Sequence, residues 1–271
     1  MKLDGKDIAD WGLRVISYEG LLNLPSRKEP TAYDWADVMQ PLIDVEDIHF
    51  HLHTFSVALF YSQALIQEEE LNGSTLEGFL EYFYPLIQWQ VRLETAYKKT
   101  RAKLKKIKGI EKFQGGRAGR FILEFQEESL KPYPYPEGLL KVDQGGLCID
   151  HYHVEENFGL ILESFQEHRA DLKDSTAVIY QKKELFTLKG QKRIHLKLSG
   201  MYPSLGAMVE RIEKFKALMA SVGTRVITYK GYAYYSYLTS GIQIKTPRED
   251  MAEVMLTLNV TDKMKSWDAN L

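Results

Sequence analysis

The sequence contains a single cysteine, Cys148, among its 271 residues. One cysteine excludes an intrachain disulfide and any zinc site built from several cysteines. The chain also lacks a run of roughly 18 apolar residues, the length that a membrane-spanning helix needs. Charged residues at positions 2, 4, 6 and 7 stand where a signal peptide would need an apolar stretch. We therefore expect a soluble protein made in the cytoplasm.

Familiar catalytic motifs are missing too. The sequence has no G-x-S-x-G elbow, no Walker phosphate loop and no G-x-G-x-x-G fingerprint. QGGRAGR at 114–120 is rich in glycine but joins two predicted strands, which favours a hairpin loop over a phosphate site. We predict no catalytic, cofactor-binding or metal-binding residues and no cofactor, so we expect that the chain is not an enzyme.

The composition is that of a globular protein with a substantial core, because 44% of the residues are hydrophobic and 27% are charged. The formal net charge of −2 gives no bulk attraction to nucleic acid or to an anionic membrane. We expect neither as a partner.

Short segments recur in the same order in the two halves of the chain. The four pairs are DWGLRV at 10–15 with NFGLIL at 157–162, STLEGF at 74–79 with SLGAMV at 204–209, GIE at 109–111 with GIQ at 241–243, and RFILEF at 120–125 with EVMLTL at 253–258. Four matches in one order predict a tandem duplication whose loops differ in length. KPYPYPEG at 131–138 alternates proline with other residues and is expected to be extended and stiff. We predict a first unit at 1–130, a linker at 131–145 and a second unit at 146–271.

Alternating apolar and polar residues predict strands in both halves. These lie at 8–16, 49–61, 88–94, 100–113, 119–126, 159–164, 177–181, 193–199, 225–229, 232–238 and 252–260. Each half has one helical pattern. The first starts at a Ser74…Glu77 capping box and should end near Tyr84, before Pro85; the second follows Ser204. The predicted fold is mainly β (α+β): two repeated β-sandwich or split-barrel units, each with one flanking α-helix.

Two histidine clusters are candidate sites. On a strand, His49, His51 and His53 would share one face, a geometry that could gather a metal with the acidic residues at 44, 46 and 47 nearby. Outward-pointing polar side chains are the simpler interpretation. His151 and His153 fall on a predicted turn, where a solvated loop is favoured over a ligand set. Cys148 is a candidate nucleophile next to them, but its apolar neighbours favour a buried small hydrophobe.

Charge is unevenly distributed along the chain. Residues 1–94 hold 6 basic and 16 acidic side chains, whereas 98–120 hold 10 basic and 1 acidic. The basic hairpin 98–120 is interpreted as a solvated face, as an interface with an acidic surface of a neighbouring subunit, or as a nucleic-acid site, in decreasing order of weight. Reversing the charges of Lys103, Lys105 and Lys106 without any effect on assembly would remove the interface interpretation. The matching stretch 229–237 carries five tyrosines, which suit strand packing and also carbohydrate contacts.

The first 85 residues resemble the start of phage distal tail proteins. Residues 2–15 match the family's short strand, Asp-Gly turn, acidic residue, aromatic, glycine and aliphatic; LPSRKEP at 24–30 and YDW at 33–35 match its loop, followed by a long strand and a helix. Two features depart from the family: WAD at 35–37 lacks the glycine of its usual turn, and the second half looks like another copy of the same unit.

The resemblance implies a structural component of a phage or prophage-derived tail, at the distal tail or baseplate, located in the virion tail. It implies self-assembly into a ring of three or six chains, other tail proteins as partners, and loops such as 19–44 that reach adjacent rings. Two alternatives stay open: a carbohydrate- or receptor-binding β-protein, suggested by the tyrosines and Trp35, and a metal-dependent enzyme built around His49, His51 and His53.

Overall fold

A computed structural model describes most of the chain. The described residues are 1–28, 32–33, 42–43, 49–67, 75–87, 89–127, 133–141, 145–169, 173–179, 182–188 and 192–265. They form two compact units, Met1–Asn23 with Leu52–Lys131, and Leu24–His51 with Pro132–Leu271. The segment that follows Asn23 in sequence therefore counts with the second unit. The linker and domain limits given above stay a prediction.

The first unit is built on a seven-stranded antiparallel sheet of order β2-β1-β7-β8-β9-β6-β3. The seven strands of this sheet are β1 (Lys2–Leu3), β2 (Lys6–Asp7), β3 (Trp11–Glu19), β6 (Thr54–Ile66), β7 (Gln90–Glu94), β8 (Lys99–Phe113) and β9 (Ala118–Glu127). Strands β4 (Ala32–Tyr33) and β5 (Leu42–Ile43) pair with each other in the segment that counts with the second unit.

The helix of the first unit, α1 (Leu76–Phe83), packs on the sheet because this position buries its apolar side chains in the core. Phe79 and Phe83 are fully buried, and the Phe79 ring stacks on Tyr61 of β6 with 5.3 Å between centroids. Thr75 caps the helix by accepting the backbone N–H of Gly78 at 3.4 Å. The capping residue is thus Thr75 rather than the predicted Ser74. The α-helix ends at Phe83 and a 3-10 turn containing Pro85 follows, as predicted.

The second unit has a seven-stranded antiparallel sheet of order β11-β10-β16-β17-β18-β15-β12, and a separate pair, β13 with β14. Its strands are β10 (Cys148–Ile149), β11 (Tyr152–His153), β12 (Ile161–Arg169), β13 (Lys173–Ile179), β14 (Lys182–Leu188), β15 (Lys192–Met201), β16 (Arg225–Tyr229), β17 (Tyr232–Arg248) and β18 (Met251–Lys265). Its helices are α2 (Val154–Phe158) and α3 (Leu205–Ala220). Ser204 caps α3 through the N–H of Ala207 at 3.2 Å, and Met208, Ile212 and Phe215 of the predicted stripe are fully buried.

Strand for strand, the two seven-stranded sheets have the same order. Local details match as well. The carboxylate of Asp4 accepts the backbone N–H of Arg92 at 2.7 Å, and that of Asp150 accepts the N–H of Val226 at 2.8 Å. Both aspartates have positive φ and sit in two-residue turns between paired short strands.

The same buried aromatic contact also occurs in each unit. Trp11 meets Phe83 of α1 edge-on at 5.9 Å, and Phe158 meets Phe215 of α3 edge-on at 5.4 Å. Trp11 and Phe158 are the aromatic residues of the two segments that match in the sequence. The fold is mainly β with few helices, as predicted, and is consistent with two β-sandwich units.

Several strand predictions need correction at their starts: the strands predicted from 159 and 177 begin at Ile161 and Lys173. Residues 8–10 form a 3-10 turn, with Asp7 as its cap, and the strand begins at Trp11. The strand predicted from residue 49 begins at Thr54, because the backbone at His49 and His51 bonds to Lys28 and Ser26 instead of to β9. In the described residues no helix is long and apolar enough to span a bilayer.

Candidate functional site: the sheet faces directed away from the cores

Strand β8 turns its basic side chains away from the core of the first unit. Ala102 and Leu104 are buried, whereas Arg101, Lys106 and Lys108 are exposed and Lys103 is half-buried. Arg101 lies directly opposite Arg92 of β7. We call Arg92, Arg101, Lys103, Lys106 and Lys108 the basic face.

Acidic side chains of the described residues pair with two of the five cations of the basic face. Lys106 and Lys108 share Glu124 of β9, at 3.6 and 2.8 Å, and the hydrogen bond from Lys108, despite the opposing effect of burial, helps to lower the pKa of Glu124. Among the described residues, Arg92, Arg101 and Lys103 form no ion pair with an acidic side chain. Like charges on directly opposed strands repel, so Arg92 and Arg101 favour a nearby anion.

Apolar side chains are exposed on neighbouring stretches of the same unit. Trp89, just before β7, is 70% exposed, and Ile110 and Phe113 in the second half of β8 are 38% and 42% exposed. Gly109 and Ile110 fall in a bulge of β8, between the residues that pair at Lys108 and at Glu111. Exposed aromatic and aliphatic groups beside a cationic surface are typical of a protein interface.

Beside the basic face lies an open depression of about 490 Å³ lined by Asp4, Gln90, Val91, Arg92 and Arg101. The Asp4 carboxylate accepts a backbone bond there, so the site is of mixed charge. We assign it no ligand.

The corresponding face of the second sheet is covered. Tyr237 of β17 pairs with Asn259 of β18 as Lys103 of β8 pairs with Gln126 of β9. Tyr237 and Asn259 are buried, and Asn259 donates to the Tyr237 hydroxyl at 3.3 Å. Arg27, also buried, lies over the Tyr237 ring at 5.9 Å.

Residues 24–28, which we call the covering segment, are held in the second unit by backbone hydrogen bonds. Leu24 and Ile242 exchange both bonds, at 3.0 and 2.9 Å, and both side chains are buried. Ile242 follows Gly241 in a bulge of β17 that lies between the residues paired with Thr257 and Met255 of β18. The Gly109–Ile110 bulge of β8 lies two residues further along its own partner strand, between the residues paired with Ile122 and Arg120. A Cβ on Gly241 would stand 2.0 Å from the carbonyl oxygen of Leu24, so only glycine permits this approach.

The predicted histidine cluster is divided by the fold. His49 and His51 count with the second unit, whereas His53 counts with the first. His53 is buried, and its ring nitrogens lie 2.7 Å from Glu127 and 2.8 Å from the carbonyl oxygen of Gly20. Both ring nitrogens of His53 therefore lie within hydrogen-bond distance of an oxygen acceptor.

Glu127 is the centre of this buried network. It also accepts from Lys98 at 2.7 Å and from Thr100 at 2.6 Å. Burial by itself would raise the pKa of Glu127, but the bonds from His53, Lys98 and Thr100 more than offset it and lower the pKa to about 2. His53 thus belongs to a buried structural hydrogen-bond network. Within the described residues no three His, Cys, Asp or Glu side chains are grouped as a metal would need; positions 44, 46 and 47 lie outside them.

The second histidine cluster caps a helix. His153 Nδ1 accepts the backbone N–H of Glu156 at the start of α2, at 3.4 Å, and its Nε2 donates to the carbonyl oxygen of Gly145 at 2.7 Å. His151 occupies a turn position with a φ of 68°. Cys148 is buried in β10, as its apolar neighbours indicated.

The tyrosine row contributes mainly to packing. Tyr234 and Tyr237 are buried, Tyr229 stacks on Phe165 at 4.7 Å, and Tyr232 is 41% exposed. Trp35 lies outside the described residues. Local periodicity indicated the basic face and the tyrosine row, but the covering segment is held by a partner more than 200 residues away and gave no local signal.

Comparisons with known proteins give limited information. No family model matches the chain, and no curated protein matches it. One solved structure that it is similar to is the Dit protein of phage SPP1, described as a paradigm of the hub adsorption apparatus in phages that infect Gram-positive bacteria. The identity is 11%, the match covers 97% of each chain, and the TM-score is 0.32. A similarity with so low an identity and TM-score supports no conclusion about function.

Proposed function

We propose that the chain is a structural protein of a phage tail, or of a prophage-derived relative, which forms a ring of three or six copies at the distal tail or baseplate. The observation that carries the proposal is the equal strand order of the two seven-stranded sheets. We interpret it as a tandem duplication. Three chains with two such units each would supply six similar building blocks, and six chains would supply twelve.

Edge strands support an assembling role. The nine-residue strand β3 ends the first sheet and the nine-residue strand β12 ends the second, so each has a partner on one side within the described residues. Long edges invite pairing with another chain, and closed symmetric assemblies satisfy them. The N-terminal resemblance to distal tail proteins gives this role its biological setting.

The proposed mechanism is assembly without catalysis. Neighbouring copies would bury sheet edges and exposed apolar side chains, and each interface would need about 800 Å² per partner to be stable. Other tail proteins would bind the ring faces.

A direct test is to label the protein on particles. We would tag the chain at its C-terminus in the bacterium that encodes it, induce particle release, and combine mass spectrometry of purified tails with gold labelling in electron micrographs. The expected result is label at one end of the tail, in proportion to the other tail proteins. Intact tails that lack the protein would contradict the proposal; the matched control is an untagged strain.

A further inference from the structure

The proposed assembly does not yet assign a partner to the basic face of the first sheet. Five cations project from two adjacent strands, and Glu124 pairs with just two of them in the described residues. Exposed cations without partners cost little in water, so charge alone does not demand a ligand. However, Trp89, Ile110 and Phe113 are exposed nearby, and exposed apolar side chains favour a binding surface over a purely solvated one.

The chain itself contains a segment of the opposite charge. Residues 29–47 hold six acidic side chains, at 29, 34, 37, 44, 46 and 47, and no lysine, arginine or histidine. The same segment contains apolar residues, Trp35, Met39 and Leu42 among them. It therefore offers carboxylates for the basic face and apolar groups for Trp89 and Ile110.

The second unit shows how such a face can be covered. There, the residues just before the acidic segment, 24–28, lie on the strand that corresponds to β8 and bury Tyr237 and Ile242. In the first sheet, Lys103, which matches Tyr237 in strand register, is half-buried, and Ile110, which matches Ile242 in the sequence repeat, is exposed.

We propose that the basic face of one copy binds the acidic segment 29–47 of a second copy. This inference rests on the proposed assembly and names its partner surface. Residues 24–51 count with the second unit, so the contact joins the second unit of one molecule to the first unit of another. Opposite charges steer the copies together and fix their register, and the apolar groups supply most of the buried area.

The test is a charge exchange in the full-length chain. The triple variant R101E/K103E/K106E should weaken self-association by about tenfold or more, and D44K/E46K/D47K should do the same. Combining all six substitutions should restore association toward the wild-type value. K141E/K230E/K245E, which reverses three exposed lysines of the second unit, is the control and should leave association unchanged. Sedimentation velocity over a concentration series at 50 and 500 mM NaCl measures all five proteins.

Each contrary outcome has a distinct meaning. Wild-type association that R101E/K103E/K106E leaves unchanged would overturn the inference and leave the tail proposal standing. A wild-type chain that stays monomeric at every concentration and salt would overturn it too, while the labelling of tails would still decide the tail proposal. Tight binding of a 20-base-pair DNA duplex that is lost in R101E/K103E/K106E, with association unaffected, would assign the face to nucleic acid instead. Unchanged thermal unfolding of the variants would show that they fold.

Discussion

Strands β8 and β17 occupy the same place in two sheets of equal order, yet their outward faces differ in chemistry. Lys103 on β8 is half-buried beside exposed cations, whereas Tyr237 on β17 is buried under Arg27. The cores stay alike: each keeps an aromatic residue edge-on to a helix phenylalanine. The two units thus share the strand order and the aromatic core contact, whereas the faces directed away from the cores differ.

The largest expected effect tests the likeness of the cores. Phe83→Ala and Phe215→Ala each remove a fully buried ring, so each should lower the free energy of unfolding by about 3–5 kcal/mol. Hydrogen exchange followed by mass spectrometry should show faster exchange in the first unit for Phe83→Ala and in the second for Phe215→Ala. A loss below 1 kcal/mol for one variant would break the comparison of the two cores.

A difference between the units should appear in acid. Glu127 of the first sheet corresponds in register to Val260 of the second, since each pairs opposite a core position of the neighbouring strand. A carboxyl whose pKa is lower in the folded than in the unfolded protein stabilises the fold fully at a pH above its unfolded-state pKa. That contribution is lost as the pH falls toward its folded-state pKa. The first unit should therefore lose stability from about pH 4.5 down to about pH 2.

Glu127→Gln tests the same network at neutral pH. It removes the carboxylate that pairs with the half-buried Lys98 and contacts the buried His53, and it should cost about 3 kcal/mol. The acid-dependent loss of stability from pH 4.5 should also become smaller in this variant. Urea unfolding at pH 7 and pH 3.5 gives both numbers; an unchanged pH dependence would show that Glu127 does not govern it.

Some of these features could be predicted from the sequence and others could not. The stripes of α1 and α3 were predictable, because apolar spacing within one helix reports directly on its buried side. Strand alternation located β7, β8, β9 and β16 nearly to the residue. The paired strands β1–β2 and β10–β11 have two residues each, too few for a periodic signal.

Longer-range pairing accounts for the remaining errors. Alternation continues back from residue 54 to 49, yet the backbone there pairs with residues 26–28, a choice that no local pattern encodes. His53 looked like a member of an exposed cluster, because its true partner, Glu127, is 74 residues away. The basic face was visible in the sequence as a charge run, but only the strand register showed that Glu124 pairs with Lys106 and Lys108 and that no described acidic side chain pairs with Arg92, Arg101 or Lys103.

The two bulge glycines should respond differently to alanine. In Gly241→Ala, the new methyl would meet the Leu24 carbonyl, which should cost about 1–3 kcal/mol and release the covering segment. In Gly109→Ala, the nearest atom is 3.4 Å away on the flexible Ile122 side chain, and the positive φ of 62° should cost about 1–2 kcal/mol.

Hydrogen exchange separates these two outcomes. Residues 24–28 should exchange faster than in the wild-type protein in Gly241→Ala, and at the wild-type rate in Gly109→Ala. If residues 24–28 stay protected from exchange in Gly241→Ala, then the close approach of the covering segment does not explain the glycine at position 241.

The smallest effect concerns the partly exposed ion pairs of the basic face. Glu124→Gln removes the partner of Lys106 and Lys108 and should change stability by no more than about 1 kcal/mol. The same variant makes the face more basic, so self-association at low salt should tighten. Unchanged association would indicate that these two lysines lie outside the contact.

The most direct test of the central claim, that the chain acts by assembling with itself, is its mass in solution. Light scattering over a concentration series, with negative-stain images of the same sample, should give a closed ring of three or six chains with a central hole. A protein that keeps the mass of one chain at every concentration, and shows no rings, would contradict the account.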